Sequence, residues 1–133
     1  MEKDQGKKVY VTIPNKGDHE LSSLLYKLDH LRQIKWTYKI WETTPALIDK
    51  SGGSSRQYVG QNFDSKYFDL VENGWTHDHC EICFHTISNV ESYGDTDGFK
   101  TENGDWICKE CYNLFIKPDN IQETINSFET IAK

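Results

Sequence analysis

Two Cys-x-x-Cys pairs, Cys80/Cys83 and Cys108/Cys111, constrain this chain more than any other feature. They contain its only four cysteines and are separated by 24 residues. A CxxC turn places both sulfurs on one side of a tight backbone loop. Two such turns, brought together by the fold, supply the four ligands that a tetrahedral zinc ion takes. A centre closed by four protein ligands keeps no open position, so it builds structure and does no chemistry. The spacing therefore predicts one structural zinc ion held by Cys80, Cys83, Cys108 and Cys111.

At 133 residues, the chain is long enough for one domain, and a chain of this size buries roughly two-thirds of its unfolded surface. An aromatic content of 13% with four Trp argues against disorder. No apolar run is long enough for a transmembrane helix. The N-terminal MEKDQGKK is charged, with no apolar stretch behind it, so no secretory signal is expected. Cysteine pairs without such a signal read as a metal site in a reducing compartment, and the expected location is cytoplasmic.

The net charge of −6 is uneven. Residues 1–60 hold ten Lys+Arg against seven Asp+Glu, a net of +3, whereas residues 77–117 hold three Lys against eight acids, a net of −5. Zinc with four thiolates adds two further negative charges. An acidic module is repelled by a phosphate backbone, which disfavours nucleic acid as its partner.

Along the chain, KVYVTI at 8–13 reads as a strand closed by Pro14, and 15–18 as a turn leading into a helix. Leu21, Leu24, Leu25, Leu28 and Leu31 form one helical stripe. Residues 34–42 alternate, with Ile34, Trp36, Tyr38 and Ile40 on one face of a half-buried strand. The first 42 residues thus predict β-α-β. Residues 43–57, with Pro45 and SGGSS, predict a flexible loop. Asp64 is placed to cap a short helix, with Phe63 and Phe68 as its staple and Asn73-Gly74 as its stop. GFKTENGDWI at 98–107 predicts a hairpin turning at Asn103-Gly104, and the second cysteine pair opens a helix.

Pro118 and Asp119 start a terminal helix carrying Ile121, Ile125 and Phe128. The expected class is α+β: a segment at 1–74, a treble-clef or zinc-ribbon finger at 75–117, and a C-terminal helix at 118–133, in one compact domain. The order of knuckle, hairpin and helix favours the treble clef.

Rival chemistries are weaker. A redox CxxC needs surroundings that lower a thiol pKa, and Asp78, Glu81 and Glu110 flank these cysteines instead. His77, His79 and His85 cluster at the first knuckle. They read as a second metal site or a general base, or, for His79 and His85, as groups that hydrogen-bond the sulfurs or pack on the knuckle. The deaminase motif is absent, as are a P-loop, a dinucleotide fingerprint and a nucleophile elbow, and the finger helix after Cys111 runs Tyr112-Asn113-Leu114 without the His that would strengthen an HNH-type nuclease reading. Asp95, Asp97 and Glu102 fit no EF-hand spacing and read as a solvated loop.

The run Trp75-Thr76-His77-Asp78-His79-Cys80-Glu81-Ile82-Cys83, with Trp106-Ile107-Cys108-Lys109-Glu110-Cys111 later, resembles a pattern in small, mostly uncharacterised bacterial proteins. There a Trp-x-His-x-His-Cys-x-x-Cys knuckle precedes a Trp-x-Cys-x-x-Cys pair. The resemblance covers about residues 61–117 and implies no defined enzymatic activity. A small, acidic, stand-alone chain is also similar in type to immunity proteins that neutralise bacterial toxins.

The expectation is a non-enzymatic binding protein, in its sharpest form an immunity protein covering the basic cleft of a toxin domain. Asp78, Glu81, Glu91, Asp95, Asp97, Glu102, Asp105 and Glu110 are the candidate contact charges; a solvated face without a partner is the plain alternative. Trp41 breaks the alternation of its strand and is read either as an exposed contact residue or as core. Two other classes stay open: a nucleic-acid-binding or regulatory zinc protein using Lys35, Thr37 and Lys39, and an enzyme built on His77, His79 and His85.

Overall fold

A computed structural model describes residues 8–132; the charged N-terminal stretch that bears on a secretory signal lies, apart from Lys8, outside them. In chain order the strands are β1 (Val9–Ile13), β2 (Gly17–Glu20), β3 (Thr37–Ile40), β4 (Thr44–Asp49), β5 (Ser55–Gln57), β6 (Phe68–Trp75), β7 (His77–His79), β8 (Thr86–Ser88), β9 (Asp97–Lys100), β10 (Trp106–Ile107) and β11 (Glu129–Ala132). The helices are α1 (Leu21–Leu31), α2 (Lys109–Cys111) and α3 (Ile121–Asn126), and a π-helical turn at Tyr112–Ile116 continues α2. The class is α+β, with small antiparallel sheets and short helices. The described residues fall into two compact units, 8–35 with 110–132, and 36–109.

In the first unit β1 is the central strand, paired with both β2 and β11. Residues 17–20 are therefore a strand where a helix start was expected. Asn15, at φ 63°, turns the chain tightly enough for β2 to fold back on β1, and the Asp18 carboxylate accepts a 2.7 Å hydrogen bond from the Thr12 hydroxyl. Helix α1 starts at Leu21 because Glu20 caps it: its carboxylate accepts from the backbone N–H groups of Ser22 and Ser23 and from both hydroxyls. The predicted leucine stripe holds, with Leu24, Leu28 and Leu31 buried.

The C-terminal segment departs from the expected single helix. Helix α3 is capped by Asn120, ends at Asn126, and Thr130-Ile131-Ala132 then pairs with β1. The free edge of β1 and the β-branched pair Thr130-Ile131 favour a strand there over further helix.

The second unit contains the sheets β10-β9-β3, β5-β4-β6 and β7-β8. The expected loop at 43–57 is instead two paired strands, β4 and β5; only the SGGS segment turns. The helix expected after Asp64 is also absent. The Asp64 carboxylate caps a single turn through Lys66 N–H, and the chain then enters β6, because Phe68-Asp69-Leu70-Val71 pairs along β4. Asn73-Gly74 does punctuate the backbone, but as an irregularity inside β6: Asn73 has φ 61°, and the register slips between Thr44 and Ala46. The alternation expected over 34–42 fails as well. Strand β3 is a short sheet edge whose four residues are all exposed, and burial falls on the flanking Trp36 and Trp41. The predicted β9–β10 hairpin is present, turning at Gly104 with φ 94°.

Candidate metal centre

The first cysteine pair sits at the tip of the β7–β8 hairpin, whose register is His77 opposite Ser88 and His79 opposite Thr86. Cys80 N–H donates to the His85 carbonyl and Phe84 N–H to the Cys80 carbonyl, each at 2.9 Å. That closes the loop and aims the Ile82 and Cys83 N–H groups at Cys80 Sγ, at 3.4 and 3.5 Å. Amide donors on a sulfur favour its thiolate form. The turn needs one left-handed residue, and Phe84 supplies it at φ 67°.

The second pair reaches the first through backbone. Cys80 bridges Trp106 in parallel, and Glu81 N–H donates to the Trp106 carbonyl at 2.9 Å. Cys108 follows Ile107 directly, and α2 provides Cys111. All four sulfurs lie within 4.8 Å of one another. The Cys83–Cys108 separation is 3.7 Å, far beyond a disulfide bond and close to the edge, roughly 3.8 Å, of a tetrahedron with metal–sulfur bonds of about 2.3 Å. Cys80, Cys108 and Cys111 are fully buried and Cys83 is 7% exposed. The donor set is thus four thiols in a closed, buried cluster that fits a metal ion. Among the described residues it is the single group of three or more His, Cys, Asp or Glu placed to hold one.

The neighbouring side chains divide by environment. His79 Nδ1 donates to the Phe84 carbonyl at 3.2 Å, so this ring braces the knuckle. His85 contributes its backbone carbonyl to Cys80, and its side chain is exposed. His77 is exposed and its Nδ1 lies 3.2 Å from the Thr76 hydroxyl. Trp41 is 3% exposed and stacked on Trp106, so the reading of Trp41 as an exposed contact residue is corrected: it is core.

Of the eight acidic candidates, Asp78 accepts from Trp75 Nε1 and His79 N–H. Asp97 accepts from the Tyr38 hydroxyl at 2.6 Å and pairs with Lys109 at 3.1 Å. The Tyr38 hydrogen bond, with Lys109 beside it, holds the Asp97 carboxyl below its ordinary range. The same bond pushes the Tyr38 phenol up. Glu110 pairs with the buried Lys16 at 3.0 Å. Glu91, Glu102 and Asp105 are exposed, and Glu81 and Asp95 are half-buried.

Sequence reasoning missed the exposed aromatics. Phe84 is 63% and Tyr93 68% exposed, and Ile40 and Tyr38 stand out from β3. A signal existed for the first two: Phe84 occupies the left-handed position after a CxxC, and Tyr93 lies in a Ser-, Asn- and Gly-rich stretch with no periodicity to bury it.

Among the described residues no helix is long and apolar enough to cross a membrane. No family model, curated protein or solved structure matches the chain. What the fold and site define is a small α+β protein with a buried four-cysteine cluster suited to a metal ion.

Proposed function

We propose that the chain is a zinc-stabilised, non-enzymatic protein-binding protein, with an immunity protein that neutralises a bacterial toxin as its sharpest form. The observation that carries the reading is the closure of the four-cysteine cluster: four buried sulfurs within 4.8 Å leave no position for a substrate. Four thiolates in a compact group suit zinc, or iron in a coloured alternative. Knuckle, β9–β10 hairpin and then α2, which opens just after Cys108 and ends on Cys111, follow the order of a treble clef, which is how we read the finger.

The binding role draws on the surface around the cluster. Phe84 and Tyr93 are large exposed aromatics, and Glu91, Glu102 and Asp105 are exposed acids in the same segment. Exposed aromatics and carboxylates within residues 84–105 suit a basic protein surface, where the charges speed encounter and the rings supply contact area.

The test is capture of partners from native-host lysate by the metal-loaded protein at physiological salt, alongside a Phe84→Ser, Glu91→Lys variant of equal metal content. One stoichiometric basic protein, lost with the variant, supports the reading, and a toxin domain among the captured proteins establishes its sharpest form. Capture of nucleic acid alone overturns it in favour of a nucleic-acid-binding zinc protein.

A further inference from the structure

Separate from the four cysteines, β7 in the second unit carries a pair of imidazoles spaced as in a chelate. His77 and His79 alternate along β7, so both project from the same face of the strand. Their ring centres are 5.2 Å apart. A metal held by one nitrogen of each of two imidazoles, at about 2.0–2.1 Å and a tetrahedral angle, sets the ring centres roughly 5 Å apart. The observed spacing matches that value.

The tautomers support this. His79 Nδ1 faces the Phe84 carbonyl, which only accepts, so the proton sits on Nδ1 and Nε2 keeps its lone pair. A metal-ligating histidine is commonly oriented by this kind of Nδ1–H to carbonyl contact. His77 Nδ1 lies 3.2 Å from the Thr76 hydroxyl, which accepts the Nδ1 proton in the tautomer that leaves Nε2 for a metal. Both rings are exposed, and they line an open cavity of about 330 Å³ together with Ser55, Trp75 and Asp78. The Asp78 carboxylate is occupied by Trp75 Nε1 and His79 N–H.

We propose that His77 and His79 form a two-imidazole site for a divalent transition-metal ion of zinc type, opening into the cavity beside Trp75. Two protein ligands leave the remaining positions to water or to a donor from a partner. The site is therefore open where the cysteine cluster is closed, and it binds more weakly.

The experiment uses the untagged full chain with its cysteine centre loaded with zinc. Equilibrium dialysis against Zn²⁺ counts bound ions, and Co²⁺, which lies below zinc in affinity and so leaves the thiolate site filled, serves as a paramagnetic probe by NMR. The native chain is expected to take up a second, weaker zinc, and Co²⁺ to broaden the ring signals of His77 and His79 first. His77→Ala should weaken this uptake at least about tenfold with the first zinc retained, and His85→Ala should leave it unchanged. His79→Gln should do the same as His77→Ala; if it also releases the first zinc, His77→Ala alone decides. Uptake of only one zinc by the native chain, or a second zinc held equally well by His77→Ala, overturns the proposal.

Discussion

The indole of Trp41 packs on that of Trp106 with ring centres 5.0 Å apart and planes tilted by 47°. Neither indole N–H has a hydrogen-bond partner among the described residues. Trp106 is two residues from Cys108 and its carbonyl accepts from Glu81 N–H, so the strand that carries this ring pair is tied by backbone to the first knuckle. A buried N–H without a partner costs about 1–3 kcal/mol, and the packing of two large rings outweighs that cost. Replacing Trp41 by Phe removes the orphan donor and keeps most of the contact area, so it should change stability by about 1 kcal/mol or less. Trp41→Ala should cost about 3–5 kcal/mol. Urea denaturation of the metal-loaded variants measures both. A Phe variant as unstable as the Ala variant would show that the N–H is satisfied by bound water.

Removing the metal should act locally first. Binding of a structural zinc contributes roughly 10–16 kcal/mol to small modules. A strong chelator, or Cys83→Ser, should release one ion per chain and expose the amides of β7, β8 and β10 to hydrogen exchange. Amides of α1 and β1 should keep more of their protection, since Val11, Ile13, Leu24 and Leu28 are buried in the first unit. Uniform protection throughout after metal loss would sink the assignment of a structural centre.

Legibility in the sequence followed the range of the interactions involved. The cysteine spacing, the leucine stripe of α1 and the Asn103-Gly104 hairpin are local patterns, and each appears in the structure. The errors at 64–74 and 127–132 share a cause, since those segments are strands whose partners are distant in sequence, and β4 in the 43–57 hairpin likewise takes its second partner from β6. Ala46 pairs with Val71 and Val11 with Thr130, and no local period marks such a ladder. Phe68-Asp69-Leu70-Val71 reads as helix from its capping residues alone, and only the edge of β4 makes it a strand. Trp41 was legible as either core or surface; the presence of Trp106 opposite it decides the matter. The candidate site was readable because its ligands announce themselves by type, whereas the exposure of Phe84 and Tyr93 depends on what does not cover them.

Glu20 should make α1 acid-sensitive. Hydrogen bonds from the Ser22 and Ser23 hydroxyls, with support from their backbone N–H groups, lower its pKa from 4.5 to about 2. A carboxyl lowered in the folded state favours folding fully above its unfolded value of 4.5, and that contribution is lost as pH falls toward 2. The melting-temperature gap between the native chain and Glu20→Gln should therefore be constant above pH 5, shrink between pH 4.5 and 2, and close below. Because both proteins carry the same cysteine centre, metal loss at low pH affects them alike and the difference isolates Glu20. A gap independent of pH would show that the cap acts through hydrogen bonding alone, without its charge.

Phe84 offers a case in which stability and binding should move in opposite directions. A bulky residue at φ 67° is strained by roughly 1–3 kcal/mol, and glycine adopts the same conformation without a Cβ penalty. The ring is 63% exposed, so its loss removes little packing. Phe84→Gly should hold metal as tightly as the native chain and melt at the same temperature or a few degrees higher, the greater freedom of glycine in the unfolded chain offsetting part of the relief. If the ring is an anchor for a protein partner, the same change should weaken that complex by about 2 kcal/mol or more. Calorimetry of the free protein and a binding titration with the captured partner check the two halves separately. A marked fall in melting temperature would mean that the Phe84 ring packs against the knuckle and contributes to its stability.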